Sequence, residues 1–210
     1  MKKNCTEVVF ILDRSGSMCG LEKDTIGGFN SLINKQKKQD GEVLVSTVLF
    51  NDSSVVIHDR KPIEKVRLMT NKDYEVYGCT ALLDALGSSI RHIGNIHKYA
   101  RIEDVPEHTM FVIITDGMEN ASRYYSKERV KSMVEYEKEK YGWEFLFLAA
   151  NMDAIDTASQ YGIDKDHAVN YQCDSVGTRL NYEVLDEAIQ CICSGVPLSK
   201  SWKSKIETRK

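Results

Sequence analysis

No stretch of the 210-residue sequence approaches the roughly 18–20 consecutive apolar residues that span a bilayer, so no membrane-crossing helix is expected. Lys2 and Lys3 precede only a short apolar run, Val8 to Leu12, bounded by Thr6-Glu7 and Asp13. That run is too short for the core of a secretory signal. It reads as a first strand, with a cytoplasmic protein as the expectation. A dominant charge of one sign is also missing. The formal net charge of −3 gives no pull toward nucleic acid or a membrane surface, and neither is expected as a partner. Six cysteines, at 5, 19, 79, 173, 191 and 193, include no Cys-x-x-Cys pair, which argues against a zinc ribbon or a thioredoxin motif. The lone Cys191-Ile192-Cys193 reads as small, reduced, half-buried side chains. His58, His92, His97, His108 and His167 offer no pair four residues apart on one helix face, and hence no histidine metal site. There is no P-loop, no glycine-rich dinucleotide loop and no Gly-x-Ser-x-Gly nucleophile elbow.

What is present is a globular composition, 42% hydrophobic and 28% charged, long enough for one large domain with a proper core. Apolar runs alternate with helical patterns. Strands are expected at 7–12, 43–50, 54–58, 110–114, 144–150 and 168–171. Helices are expected at 21–38, 80–97, 126–140, 154–161 and 175–193. Asn51-Asp52-Ser53 reads as a tight turn, making the second and third strands an antiparallel hairpin. The continuous runs Met110–Ile114 and Phe145–Leu148 suit central parallel strands covered on both faces. The fold class is therefore α/β, a three-layer α/β/α Rossmann-like sandwich with a mostly parallel sheet and one antiparallel edge strand. Residues 197–210 carry five Lys or Arg and one Glu, and read as a solvated, flexible tail.

In such sheets ligands bind outside the carboxyl ends of the strands, where strand order reverses. Three segments belong at that edge. Asp13-Arg14-Ser15-Gly16-Ser17-Met18 directly follows the first apolar run. Gly78-Cys79-Thr80 opens a helix, and Ile114-Thr115-Asp116-Gly117 ends a buried strand. Taken alone, Asp13 and Asp116 could be helix caps, Thr80 an N-cap, Asp84 a solvated early helix acid, and Ser15 and Ser17 ordinary turn residues. Together they offer oxygen-only groups, which suit a small hard cation such as Mg²⁺. Ser15, Ser17 and Thr80 would present neutral hydroxyls. Asp13 and Asp116 would hold waters and orient those hydroxyls.

These residues resemble the metal-ion-dependent adhesion site (MIDAS) of von Willebrand factor A (vWA) domains. That pattern is Asp-x-Ser-x-Ser, a separate Thr, and a separate Asp often followed by Gly. Asp13, Ser15, Ser17, Thr80 and Asp116 match it in identity and order. The likeness in element order runs over about residues 5–194, read as a single domain, with 195–210 as the basic tail. The resemblance is to stand-alone bacterial domains. It implies a binding module rather than an enzyme, with no catalytic residues. It also implies Mg²⁺ (with Mn²⁺ or Ca²⁺ as substitutes) and a protein partner that offers an Asp or Glu carboxylate. The isolated chain is expected to be a monomer.

Two features depart from the pattern or extend it. Cys79 stands before Thr80 where the family often has Gly, with Gly78 one earlier. If the two loops meet, Cys19 and Cys79 come close, and their oxidation would distort the site; simple packing is the plainer account. Glu119 and Asn120 either rim the site or belong to loop surface. Tyr124-Tyr125 are either interface anchors or part of a packed loop. The competing reading is a phosphoryl-transfer or hydrolytic enzyme with Asp13 as nucleophile. Haloacid-dehalogenase-type phosphatases need a second Asp two residues on, and Ser15 stands there.

Overall fold

A computed structural model describes residues 1–209. Its sheet has six strands: β1 (Lys2–Asp13), β2 (Glu42–Phe50), β3 (Ser54–Pro62), β4 (Pro106–Thr115), β5 (Glu144–Ala149) and β6 (Ala168–Asn170), in the order β3-β2-β1-β4-β5-β6. All neighbours are parallel except β2 and β3, which form the expected antiparallel hairpin at one edge. The helices are α1 (Glu22–Gln36), α2 (Leu82–Tyr99), α3 (Lys127–Tyr141), α4 (Ala154–Gln160), α5 (Ser175–Cys193) and α6 (Ser204–Glu207).

β1 is the centre of the molecule. Its side chains alternate between two cores because successive residues of a strand point to opposite faces. Val8, Phe10 and Leu12 pack with Phe29, Leu32 and Ile33 of α1 and with Val184, Leu185 and Ile189 of α5. Val9 and Ile11 pack with Leu82, Leu86 and Ile90 of α2 and with Val130 and Val134 of α3. The chain leaves β1 toward β2 on one side and returns through α2 to β4 on the other. Strand order therefore reverses at β1, and Asp13 stands at that point. Inside β1, the fully buried Glu7 carboxylate is satisfied by Arg60 Nε and His97 Nε2, each at 2.7 Å.

Several expectations change, with β3 running on to Pro62 and β4 beginning at Pro106 rather than Met110. Strand β1 begins at Lys2, not Glu7: its polar start carries no apolar alternation and is held by pairing with Glu42 of β2 and Pro106 of β4. The basic C-terminal stretch is not a solvated tail. Trp202 and Ile206, four apart, form an apolar stripe that joins the α1–α5 core. Trp202 Nε1 donates to Asp166 O at 2.9 Å, and Lys203 Nζ donates to Lys165 O and Ala168 O. Arg209 grips both carboxylate oxygens of Asp174, the N-cap of α5, at 2.8 and 2.7 Å. Lys210 lies outside the described residues. Among those described, no helix is long and apolar enough to cross a membrane.

Candidate metal centre

Asp13 ends β1 with its side chain almost wholly buried. Its Oδ1 accepts from Ser15 N at 2.7 Å and its Oδ2 from Thr115 Oγ1 at 2.6 Å. Its backbone carbonyl accepts from the buried Tyr74 hydroxyl. Burial pushes the Asp13 carboxyl above the usual carboxylate range; the bonds from Thr115 and Ser15 oppose the rise and the nearby Asp116 adds to it. The short turn after β1 keeps Ser15 buried and leaves Ser17 exposed, with their hydroxyl oxygens 3.0 Å apart. Ser17 Oγ donates to Asp116 Oδ1 at 2.5 Å. The first and third segments of the sequence motif are thus joined directly.

The second segment docks on the first through its backbone. Gly16 N donates to Gly78 O at 3.0 Å and Tyr77 N to Arg14 O at 3.1 Å. Gly78 has φ +76°, and a Cβ there would lie 1.9 Å from Asp52 Oδ2, so no other residue fits without displacing that carboxylate. This accounts for glycine at 78. Thr80, next but one, is buried; its N–H donates to Asn120 Oδ1 at 2.9 Å and its carbonyl accepts from Asn120 N at 3.0 Å.

The three hydroxyls meet beside Gly117. A Cβ added there would lie 2.7 Å from Thr80 Oγ1, 3.1 Å from Ser17 Oγ and 3.5 Å from Ser15 Oγ. Three neutral oxygens therefore lie within 2.7–3.5 Å of one point beside Gly117, with the carboxylates of Asp13 and Asp116 bonded into the same loops. The donor set is hard and all-oxygen, which fits a small divalent cation. Among the described residues, no group of three or more His, Cys, Asp or Glu side chains is arranged to hold a metal. A cation here would rest on Ser and Thr.

No protein-family model and no curated protein matches the sequence. Solved structures do match in shape. The vWF domain of the type V pili tip protein Mfa5 from Porphyromonas gingivalis gives a TM-score of 0.63 at 10% identity, over 92% of this chain and 97% of that one. The fold is that of a vWA domain. The ArnB paralog VWA2 from Sulfolobus acidocaldarius matches at TM-score 0.55 and 17% identity, over 88% of this chain and 45% of that one. A von Willebrand factor type A protein from Catenulispora acidiphila matches at 0.56 and 12%, over 88% and 42%. This chain spans less than half of those last two proteins.

Several residues that shape these loops carried no sequence signal of their own. Thr115 and Tyr74 hold Asp13 from separate segments. Cys173 Sγ lies 3.3 Å from Asp116 Oδ2, and burial together with that contact pushes its thiol up to about 11. Glu119 ties its own loop to the start of α2. Its two oxygens are taken by the N–H groups of Leu83, Ala121 and Ser122 and by the Ser122 hydroxyl. Asp84 is not a solvated helix acid: it accepts from the N–H groups of Arg123, Tyr124 and Tyr125 and ties α2 to the loop after β4. Tyr125 packs its ring against Gly87 and under Arg129, while Tyr124 is exposed. Cys19 and Cys79 are both exposed and free.

Proposed function

We propose that this vWA-fold chain is a protein-interaction module. It would capture an Asp or Glu carboxylate of its partner through a Mg²⁺ held by the hydroxyls of Ser15, Ser17 and Thr80, with Asp13 and Asp116 behind them. The observation that carries this reading is the convergence of three hydroxyl oxygens on one space beside Gly117. Bound there, the ion supplies a positive charge that neutral oxygens leave poorly compensated, which favours an anionic oxygen from outside. The chain's own residues do the positioning. Asp116 holds the Ser17 hydroxyl in place, and Thr115 and the Ser15 N–H hold Asp13. Mn²⁺ would serve in place of Mg²⁺, since both suit octahedral oxygen sites.

The enzyme reading has less support. Both oxygens of Asp13 are engaged and its side chain is 1% exposed, a poor arrangement for a nucleophile that must reach substrate. A cytoplasmic setting is part of the proposal, in keeping with six free cysteines and a reducing compartment.

Thermal unfolding with and without saturating Mg²⁺ tests the reading. A rise in Tm that Asp13→Ala removes is the expected result. The metal assignment fails if the wild type shows no rise with either Mg²⁺ or Mn²⁺. Turnover of small phosphate esters, lost in Asp13→Asn, would favour the enzyme instead.

A further inference from the structure

The end of the sheet remote from the candidate metal centre carries a second feature. β4 runs from Pro106 there to Thr115 at the metal loops, about 30 Å at the rise of an extended strand. The carboxyl-terminal ends of α2 and α3 and the start of β4 enclose a cleft of about 450 Å³. That volume lies within the range of small-molecule sites, roughly 300–1,000 Å³. Its walls are largely apolar and aromatic, with Ile102, Pro106, Tyr141 and Trp143 among them.

One polar group bordering this cleft has no partner. Glu137 of α3 is only 9% exposed, and its Oε2 is sealed from solvent with no hydrogen bond. The carboxyl packs over Gly94 of α2, where a Cβ would lie 3.3 Å from Glu137 Oε1 and 3.9 Å from the Trp143 ring. Burial pushes the Glu137 carboxyl up, while the charges of His97 and Lys140 oppose the rise. Both side chains are engaged elsewhere. His97 Nε2 bonds Glu7 Oε2 at 2.7 Å, and Lys140 Nζ donates to Tyr136 Oη at 2.6 Å and lies over the rings of Tyr136 and Tyr141. Lys98 lies over the ring of Tyr99. A buried carboxyl without a donor is costly, and a ligand that brings one to Oε1, the oxygen that is not sealed, offsets part of that cost. Two helix carboxyl ends at the same cleft also favour positive charge.

We propose that this cleft binds a small amphipathic amine, with its apolar body against Ile102, Pro106 and Trp143 and its ammonium on the Glu137 carboxylate. The inference is independent of the metal reading, and its test is run in EDTA as well as in Mg²⁺.

The test uses the full chain and three matched probes, 4-phenylbutylamine, 4-phenylbutanol and 4-phenylbutyrate, followed by calorimetry and amide NMR. The amine is expected to bind at least about tenfold more tightly than the alcohol, as suits a charged hydrogen bond to a buried carboxylate. The carboxylate should bind more weakly than the alcohol. Shifts should centre on Gly94, Thr109, Glu137 and Trp143. In Glu137→Gln the amine should fall to the affinity of the alcohol, whose own binding stays unchanged. Equal binding of amine and alcohol, no binding of the amine at millimolar concentration, or shifts centred elsewhere would each overturn the proposal. The wild-type probe series decides the matter even if Glu137→Gln fails to fold.

Discussion

Gly117→Ala places a methyl group where the three hydroxyls meet. Its Cβ would stand 2.7 Å from Thr80 Oγ1, against about 3.4 Å for an ordinary contact, so something must yield by about 0.7 Å. Thr80 is buried and its backbone N–H is held by Asn120 at the entry to α2, so the residue as a whole cannot move aside freely. Overpacking of this kind costs about 1–3 kcal/mol in the absence of any ion. The larger effect falls on metal linkage. If the proposed site binds Mg²⁺, the wild type would gain about 2.7 kcal/mol at a hundred times the dissociation constant. For a chain of this size that is a Tm rise of roughly 5–10 °C. Because the methyl crowds the point on which the three hydroxyls converge, the variant should lose this rise. Circular dichroism melts in EDTA and in saturating Mg²⁺ separate the two effects. Thr80→Ser, which keeps the hydroxyl, should retain the rise, and Thr80→Val should lose it. A Gly117→Ala protein that melts lower in EDTA yet keeps the full Mg²⁺ increment would refute the reasoning.

Other outcomes follow from particular contacts. Thr115→Val leaves the buried Asp13 Oδ2 without its donor and should cost about 1–3 kcal/mol in urea unfolding, with a smaller Mg²⁺ increment. Glu7→Gln leaves Arg60 and His97 without their shared buried anion; a loss of about 3–5 kcal/mol is expected, measured by the same unfolding curves. Trp202→Ala should cost about 3–5 kcal/mol, because the residue is part of the core; an unchanged midpoint would mean the segment is not packed in solution. Asp174 is held down to about 2, chiefly by Arg209 and then by the Gly177 N–H. Its folded value lies below its unfolded one, near 3.9, so its contribution to stability is present above about pH 4 and fades as pH falls toward 2. Asp174→Asn should flatten that part of the stability–pH curve.

The sequence revealed the sheet where burial leaves a signature. Met110–Ile114 and Phe145–Leu148 lie inside β4 and β5, and α5 has the expected bounds, Ser175–Cys193. It was silent where pairing or capping, rather than periodicity, holds the chain. The first residues of β1 are polar and are carried by their neighbours, and the α6 region hid its Trp202–Ile206 stripe among lysines. At the site, the five oxygen-bearing residues stand in recognisable motifs, and the structure brings Ser15, Ser17, Thr80 and Asp116 together around Gly117, with Asp13 bonded to the Ser15 N–H beneath them. Their supports are scattered. Cys173 meets Asp116 across 57 residues and Tyr74 meets Asp13 across 61, and no spacing rule links such pairs. Asp84 and Glu119 looked like surface acids because a carboxylate that accepts backbone N–H groups has the same letter as one in water.

The central claim is that three hydroxyls and two carboxylates hold one divalent cation that still accepts an outside carboxylate. Titration with Mn²⁺ followed by electron paramagnetic resonance tests it most directly. One bound Mn²⁺ per wild-type chain is predicted, lost in a Ser15→Ala/Ser17→Ala variant that retains the wild-type melting temperature in EDTA, with a bound-ion spectrum that changes when a glutamate-containing peptide is added. Absence of bound Mn²⁺ at millimolar ion, or equal binding by the variant, would contradict it.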